Sequence, residues 1–155
     1  MQQQVGKKEI KELNSKLKIF DIEISKKEKL AKDDNFYIIK GEIRFFEYED
    51  YVLPTLKMIY SDKKIENSFK KATIDMGAVK FAIKGADMMR PGIPSYDEGI
   101  KKGDPVLIVD ESHSKPIAIG IAIFSSEDFK KEDTGKAIKN IHYIGDAIWH
   151  NNEKV

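Results

Sequence analysis

Ten residues near the middle of the chain, Lys84-Gly85-Ala86-Asp87-Met88-Met89-Arg90-Pro91-Gly92-Ile93, combine two glycines, a Pro-Gly turn and two cations. Residues without a Cβ let a ligand approach the backbone closely. The Arg90 guanidinium offers a planar fork that suits a phosphate or a base edge, and Lys84 adds a second positive charge. A single-stranded RNA terminus could lie across such a loop, held by backbone hydrogen bonds and stacking. Taken alone, the same ten residues read first as a structural turn that closes a helix, since a glycine-bounded turn with one arginine is common.

A rival constellation is Asp110, Glu111 and His113, where two carboxylates and an imidazole within four residues could hold a metal. In a strand Asp110 and Glu111 point to opposite faces, and Glu111–Lys115 makes a polar hairpin tip without a metal, so no metal site is expected. The pair Asp33-Asp34 and the run Glu47–Asp50 read as solvent-facing hairpin ends rather than acid/base groups. His142 and His150 are expected to make structural hydrogen bonds, Trp149 to pack, and Tyr143 either to pack or to stack on a base. No G-x-S-x-G, H-E-x-x-H or P-loop pattern occurs, and with no cysteine there is neither a thiol nucleophile nor a Cys-type zinc site. No catalytic residue and no cofactor are therefore expected.

Charge gives little help. The 155 residues carry 27 Lys+Arg against 26 Asp+Glu, for a net charge of +1. Residues 1–72 hold 16 basic and 13 acidic side chains and residues 73–155 hold 11 and 13. Any phosphate site in the second half must therefore be a local patch. The lysines of the first helix, Lys7, Lys8, Lys11, Lys16 and Lys18, read as a solvated face with ribosomal RNA as the alternative partner. The longest nearly uninterrupted apolar stretch, Pro116–Phe124, falls far short of the roughly 20 residues needed to span a bilayer, and the polar N-terminus is not signal-like. The expectation is a cytoplasmic protein without membrane contact.

These residues need a scaffold, and the apolar pattern supplies one. Ile10, Leu13 and Leu17 predict an amphipathic helix over Lys7–Lys18, and the alternation of Ile19–Ile24 predicts a half-buried strand. Ser25–Asp34 reads as a turn with a helical turn. Phe36–Ile39 and Glu42–Phe46 flank Lys40-Gly41 as a hairpin. Thr55–Tyr60 fits a helix with Pro54 near its first turn, or a strand, and Ser61–Lys71 is the candidate linker. Beyond it, Lys71–Asp75 reads as a strand and Gly77–Lys84 as a helix with Val79, Phe81, Ala82 and Ile83 mostly buried and Gly85 as its stop. Pro105–Val109 and Pro116–Phe124 read as paired strands with a bulge or close approach at Gly120, Ser125–Lys130 as an N-capped helix, and Ala137–Ile141 and Ala147–Trp149 as closing strands. Short strands with glycine corners indicate a small barrel.

Three blocks in order, Met76–Ile93, Lys101–Ala122 and Asn140–His150, closely resemble the PUA domain named after pseudouridine synthases and archaeosine transglycosylases. The hairpin Gly41–Phe46, the Pro54-Thr55-Leu56 segment and the Asn-Ile-His-Tyr and Ile-Trp-His endings further resemble the two-domain proteins of the malignant T-cell amplified sequence kind and their archaeal counterparts. Met1–Ile24 matches nothing in that pattern. The resemblance implies an α+β N-terminal (pre-PUA) domain over residues 1–70, followed over residues 71–155 by a mainly β PUA-like pseudobarrel with short helices. It implies a non-enzymatic RNA-binding protein that engages tRNA near its 3′ end, the small ribosomal subunit, or both, in translation initiation or recycling, with a translation-factor protein as a further partner. The alternative is the RNA-targeting partner of a separate pseudouridine synthase or transglycosylase. The implied groove runs between Lys84, Gly85, Ala86, Asp87, Arg90, Pro91 and Gly92 on the loop and Asn140, Ile141, His142 and Tyr143 on the last strand. The contact assigned to Arg90 comes from guanidinium chemistry and not from the family pattern.

Overall fold

The computed structural model describes residues 2–151. Met1 and the last four residues of the expected 71–155 unit lie outside the described residues. The N-terminal half is an antiparallel meander of five strands in sequential order: β1 (Gln3–Gln4), β2 (Leu30–Asp33), β3 (Phe36–Ile39), β4 (Glu42–Tyr48) and β5 (Tyr51–Pro54). Helix α1 (Lys7–Leu17) buries Ile10, Leu13 and Leu17 on one side, as its spacing predicts. Between β3 and β4, Lys40 and Gly41 both take positive φ, 52° and 76°, the pair a two-residue hairpin requires.

Two short helices, α2 (Leu56–Ser61) and α3 (Lys63–Asn67), lead to β6 (Lys70–Ile74). Then follow α4 (Met76–Ala82), β7 (Met88–Met89), β8 (Ser95–Tyr96), β9 (Pro105–Asp110), β10 (Pro116–Ala122), α5 (Ser126–Lys131) and β11 (Lys136–Tyr143). Their six strands form one sheet in the order β7-β11-β10-β9-β6-β8, with β6 parallel to β9 and the other pairs antiparallel. This sheet-rich chain with short helices fits the expected fold class. Among the described residues no helix is long and apolar enough to cross a membrane.

The central strands read as continuous apolar runs because both faces are covered. Val106 and Ile108 join the core under α4 and α5, whereas Leu107 and Val109, pointing the other way, join the core of the N-terminal half together with Ile119. Each such side chain contributes about 1.5–3 kcal/mol on burial. The sheet is thus a wall shared by two cores. Gly120 lies at a register shift between β10 and β11 that leaves no room for a side chain: a Cβ there would stand 2.4 Å from Ile138 Cγ2 and 2.7 Å from the Lys139 carbonyl oxygen.

Several local expectations are corrected. Ile19–Ile24 is not a strand. Lys18–Phe20 is a 3-10 turn stopped by Asp21 at φ 60°, and Ile19 is exposed. The amide of Asn14 takes both backbone groups of Ile24, at 2.9 and 2.7 Å, and so does what a neighbouring strand would do. Part of the expected turn at Ser25–Asp34 is strand β2. Pro54 ends β5, and the N-cap of α2 is Thr55, whose hydroxyl accepts from the Met58 N–H. Ser61–Lys71 is not a linker but carries α3, with Ile65, Glu66 and Phe69 buried. Lys63 and Lys71 clasp the Glu66 carboxylate at 3.0 and 3.1 Å. Ala147–Trp149 is a turn rather than a strand, because the Asp146 carboxylate gathers the N–H groups of Tyr143 and Trp149.

Candidate nucleic-acid interface

Helix α4 starts at Asp75, whose carboxylate caps the Ala78 N–H at 2.8 Å. It ends in a Schellman arrangement: Gly85 N–H donates to Ala82 O at 3.0 Å and Ala86 N–H to Phe81 O at 3.1 Å, with Gly85 at φ 89°. Gly85 is required twice over, since a Cβ there would also meet the Tyr143 ring at 3.0 Å. The expected burial of this helix is corrected. Only Ala82 is buried, Val79 is half-buried, and Phe81 and Ile83 are 54% and 44% exposed. Positions 79, 81 and 83 advance by 200° around a helix and cannot share one face.

The exposed side of α4 forms one bank of a cavity of about 600 Å³, whose walls are Phe81, Ala78, Ala86, Met88, Met89, Pro91 and Gly92, with Asp75, Asp87 and Lys136 at the polar positions. Gly92 O accepts from the Asp75 N–H at 2.9 Å, which ties the Pro-Gly turn to the start of the helix. Across the loop, Asn140 acts as a clasp: its side-chain amide donates to Ala82 O and Ala86 O at 3.0 and 3.1 Å, and its N–H donates to Asp87 at 2.9 Å. The other Asp87 oxygen pairs with Lys136 at 3.2 Å. Both carboxylates of the groove thus have internal partners, and Lys80 and Lys84 stand exposed beside it.

Lys84, Gly85, Ala86, Asp87, Pro91 and Gly92 are brought together with Asn140 and Tyr143. Three expected site residues are placed otherwise. All three guanidinium nitrogens of Arg90 donate to backbone carbonyls, those of Phe129, Glu132 and Ile93, at 2.7–3.2 Å, and its plane lies over the rings of Phe129 and Tyr96. It fastens the loop to α5 instead of reaching into the groove. His142 is 0% exposed. Its Nε2 accepts from the Leu56 N–H at 3.0 Å, so Nδ1 carries the proton and donates to Asp146 at 2.8 Å. Burial alone would raise the Asp146 carboxyl. The hydrogen bond from His142 and those from Trp149 and Tyr143 outweigh it and hold the pKa below the ordinary Asp value. Ile141 packs toward the N-terminal core. Trp149 is structural, edge-on to Tyr60 and packed on the N-terminal half.

The groove residues outside the expected site are Asp75, Gly77, Ala78, Met88, Met89 and Lys136, together with Phe81, which the sequence assigns to the core. The impossible wheel of α4 was the available signal. At the other candidate site, Asp110 accepts from the His113 N–H at 2.7 Å and Glu111 from the Met76 N–H at 3.3 Å. Among the described residues no three His, Asp or Glu side chains converge on a metal position.

Residues 70–144 match the PUA domain. An uncharacterized protein of Methanocaldococcus jannaschii is 43% identical over 154 residues, covering 94% of this chain and 93% of that protein. Translation machinery-associated protein 20 of Schizosaccharomyces pombe is 33% identical over 73% of this chain, and malignant T-cell-amplified sequence 1 of Rattus norvegicus 32% over 72%; the match spans 64% and 62% of those two longer proteins. Among solved structures, a conserved PUA domain protein of Thermoplasma acidophilum covers 97% of this chain and 98% of its own, with a TM-score of 0.76 and 26% identity. A chain of an H/ACA ribonucleoprotein bound to a substrate RNA covers 66% of this chain and 31% of its own, at 0.51 and 27%. On these likenesses the chain belongs to the PUA-domain family, with archaeal PUA-domain proteins, translation machinery-associated protein 20 and malignant T-cell-amplified sequence 1 among its relatives.

Proposed function

We propose that this chain is a non-enzymatic RNA-binding protein of the translation machinery, which takes the 3′-end region of tRNA in the groove between α4 and the loop Lys84–Gly92 and works on the small ribosomal subunit in initiation or recycling. The observation that carries this reading is the groove itself: an apolar trough with Phe81 standing 54% exposed on one bank and lysines beside it. Exposed aromatic rings serve as stacking platforms for unpaired bases, and loop backbone approached through glycines holds a single strand. The names of the fungal and vertebrate relatives support the link to translation. In this reading Lys84, Gly85, Ala86, Asp87, Pro91, Gly92, Asn140 and Tyr143 form the site with Phe81 and Met89. The PUA unit begins near residue 70, the N-terminal unit meets rRNA or a translation-factor protein, and the work is done in the cytoplasm.

The test is fluorescence anisotropy with tRNA carrying or lacking its CCA end, across a salt series. Binding that weakens with salt and with loss of the CCA end is expected, and Lys84→Ala lowers affinity. Equal binding to every RNA tried, or none, rejects the reading. A second reading, the RNA-targeting partner of a separate modification enzyme, is favoured by the likeness to the chain of the H/ACA ribonucleoprotein. Co-purification of a pseudouridine synthase or transglycosylase with the tagged chain, in place of ribosomal subunits, would select it.

A further inference from the structure

A second cavity, of about 410 Å³, opens between the end of β11 with its following turn and the start of β3 with the end of β4 in the N-terminal sheet. Its walls include the rings of Phe46, Tyr48 and Tyr143, with Ile141 and Ile148 between them. Tyr48 and Tyr143 are only partly covered. Tyr143 is also the ring that Gly85 closes upon, so a single side chain belongs to the loop of the first groove and to this cleft. Between the two, β7 pairs β11 only as far as Ile138, and Lys139–Tyr143 have no strand on that side. That edge is covered at Asn140 by the loop, since Asp87 takes the Asn140 N–H at 2.9 Å, and a chain lying across the loop comes past Gly85 and Tyr143 to the mouth of the cleft.

The chemistry of the mouth suits one kind of occupant. Lys139 holds its ammonium 5.5 Å from the centroid of the Tyr48 ring. The carboxylates in the lining already have partners: Glu47 pairs with Lys32 at 3.1 Å, and Asp146 holds His142 and two backbone N–H groups. What faces an incoming group is two tyrosine faces and a cation, the combination that binds an unstacked base and its phosphate without regard to sequence.

We propose that the cleft between Tyr48 and Tyr143 is a second nucleobase site, which takes an unstacked base from the same RNA strand that lies in the first groove, with Lys139 on its phosphate. This rests on the RNA reading of the first groove, and the experiment separates the two. The full chain is crosslinked by ultraviolet light to single-stranded RNA ending in CCA, and nucleotide adducts are mapped by mass spectrometry. Adducts on Tyr48, which belongs to the cleft alone, are expected in addition to those on Phe81 or Met89. In parallel, affinities are measured for a short RNA that fills only the first groove and for a longer one that reaches the cleft. Tyr48→Ala weakens the longer RNA by on the order of tenfold and leaves the short one unchanged. Tyr48→Phe, which keeps the ring, binds as the parent does, and Phe81→Ala weakens both RNAs. Adducts confined to the first groove, with Tyr48→Ala binding both RNAs as the parent does, overturn the cleft site and leave the first groove standing. A parent chain that binds neither RNA removes both. A cleft that yields only protein crosslinks also overturns the proposal. Should Tyr48→Ala fail to fold, the adduct map of the parent decides.

Discussion

The imidazole of His142 and the backbone N–H of Leu56 meet at 3.0 Å, although 86 positions separate them in the sequence. Leu56 is the first residue of α2, and the first N–H groups of a helix have no partner within it. The last strand thus supplies a cap to a helix of the other half, and Asp146 fixes the tautomer that allows it. His142→Ala leaves the Leu56 N–H buried without a partner and takes from the Asp146 carboxylate one of its three hydrogen bonds, those of Tyr143 and Trp149 remaining. A loss of about 3 kcal/mol is expected in urea unfolding. His142→Asn, which can still present an acceptor, should recover part of it.

Acid should act on the same joint. The Asp146 carboxyl sits below its ordinary value of 3.8 in the folded chain. A depressed acid contributes stability that is fully present above its unfolded value and is lost as pH falls through the folded one. Thermal unfolding followed from pH 6 to pH 2 should show the parent weakening below about pH 4. Asp146→Asn, less stable at neutral pH, should lose that part of the acid dependence.

Gly120→Ala tests the crowding between β10 and β11. The added methyl meets Ile138 Cγ2 at 2.4 Å and a backbone carbonyl at 2.7 Å, so the strands themselves would have to part. A destabilisation of about 2–3 kcal/mol is expected, read from the denaturant midpoint at unchanged slope.

Arg90 and Lys84 should separate stability from binding. Arg90→Lys removes the fork that reaches three carbonyls and the plane that lies on Phe129 and Tyr96, at a cost of about 1–3 kcal/mol in stability. Lys84→Ala, at an exposed position, should change stability by less than about 0.5 kcal/mol while lowering RNA affinity. Differential scanning fluorimetry and anisotropy on the two variants give the comparison.

Phe81→Ser should likewise be nearly neutral for folding, because half of the ring already faces water. Its expected effect is on RNA binding, with affinity lower by on the order of tenfold where the ring stacks on a base.

Local chemistry made much of this molecule legible from its residues. The α1 stripe, the Lys40-Gly41 hairpin, the Ser125 cap with its Asp128 reply and the crowding at Gly120 follow from spacing and residue type, and the structure has each of them. What escaped was decided at a distance. The alternation of Ile19–Ile24 is that of a strand, but its backbone is met by the carbonyls of Leu17 and Lys18 and by the Asn14 amide rather than by a neighbouring strand. Arg90 has the chemistry of a phosphate ligand, and nothing in its neighbours in sequence reveals that α5 presents carbonyls to it. His142 was marked for the groove and also expected to bond structurally; its partner, Leu56, lies in the other half of the chain. Phe81 is the instructive case, since helix geometry alone forbids burying it together with Val79 and Ile83.

The shared wall also dictates an order of events during synthesis. Residues of the N-terminal half emerge first, yet Leu107, Val109 and Ile119, which complete their core, arrive only with β9 and β10. Until then one apolar face of the nascent segment has no lid, and parallel pairing of β6 with β9 adds a slow, non-local step. A fragment ending after β6 should therefore be aggregation-prone, and the whole chain should melt in a single transition.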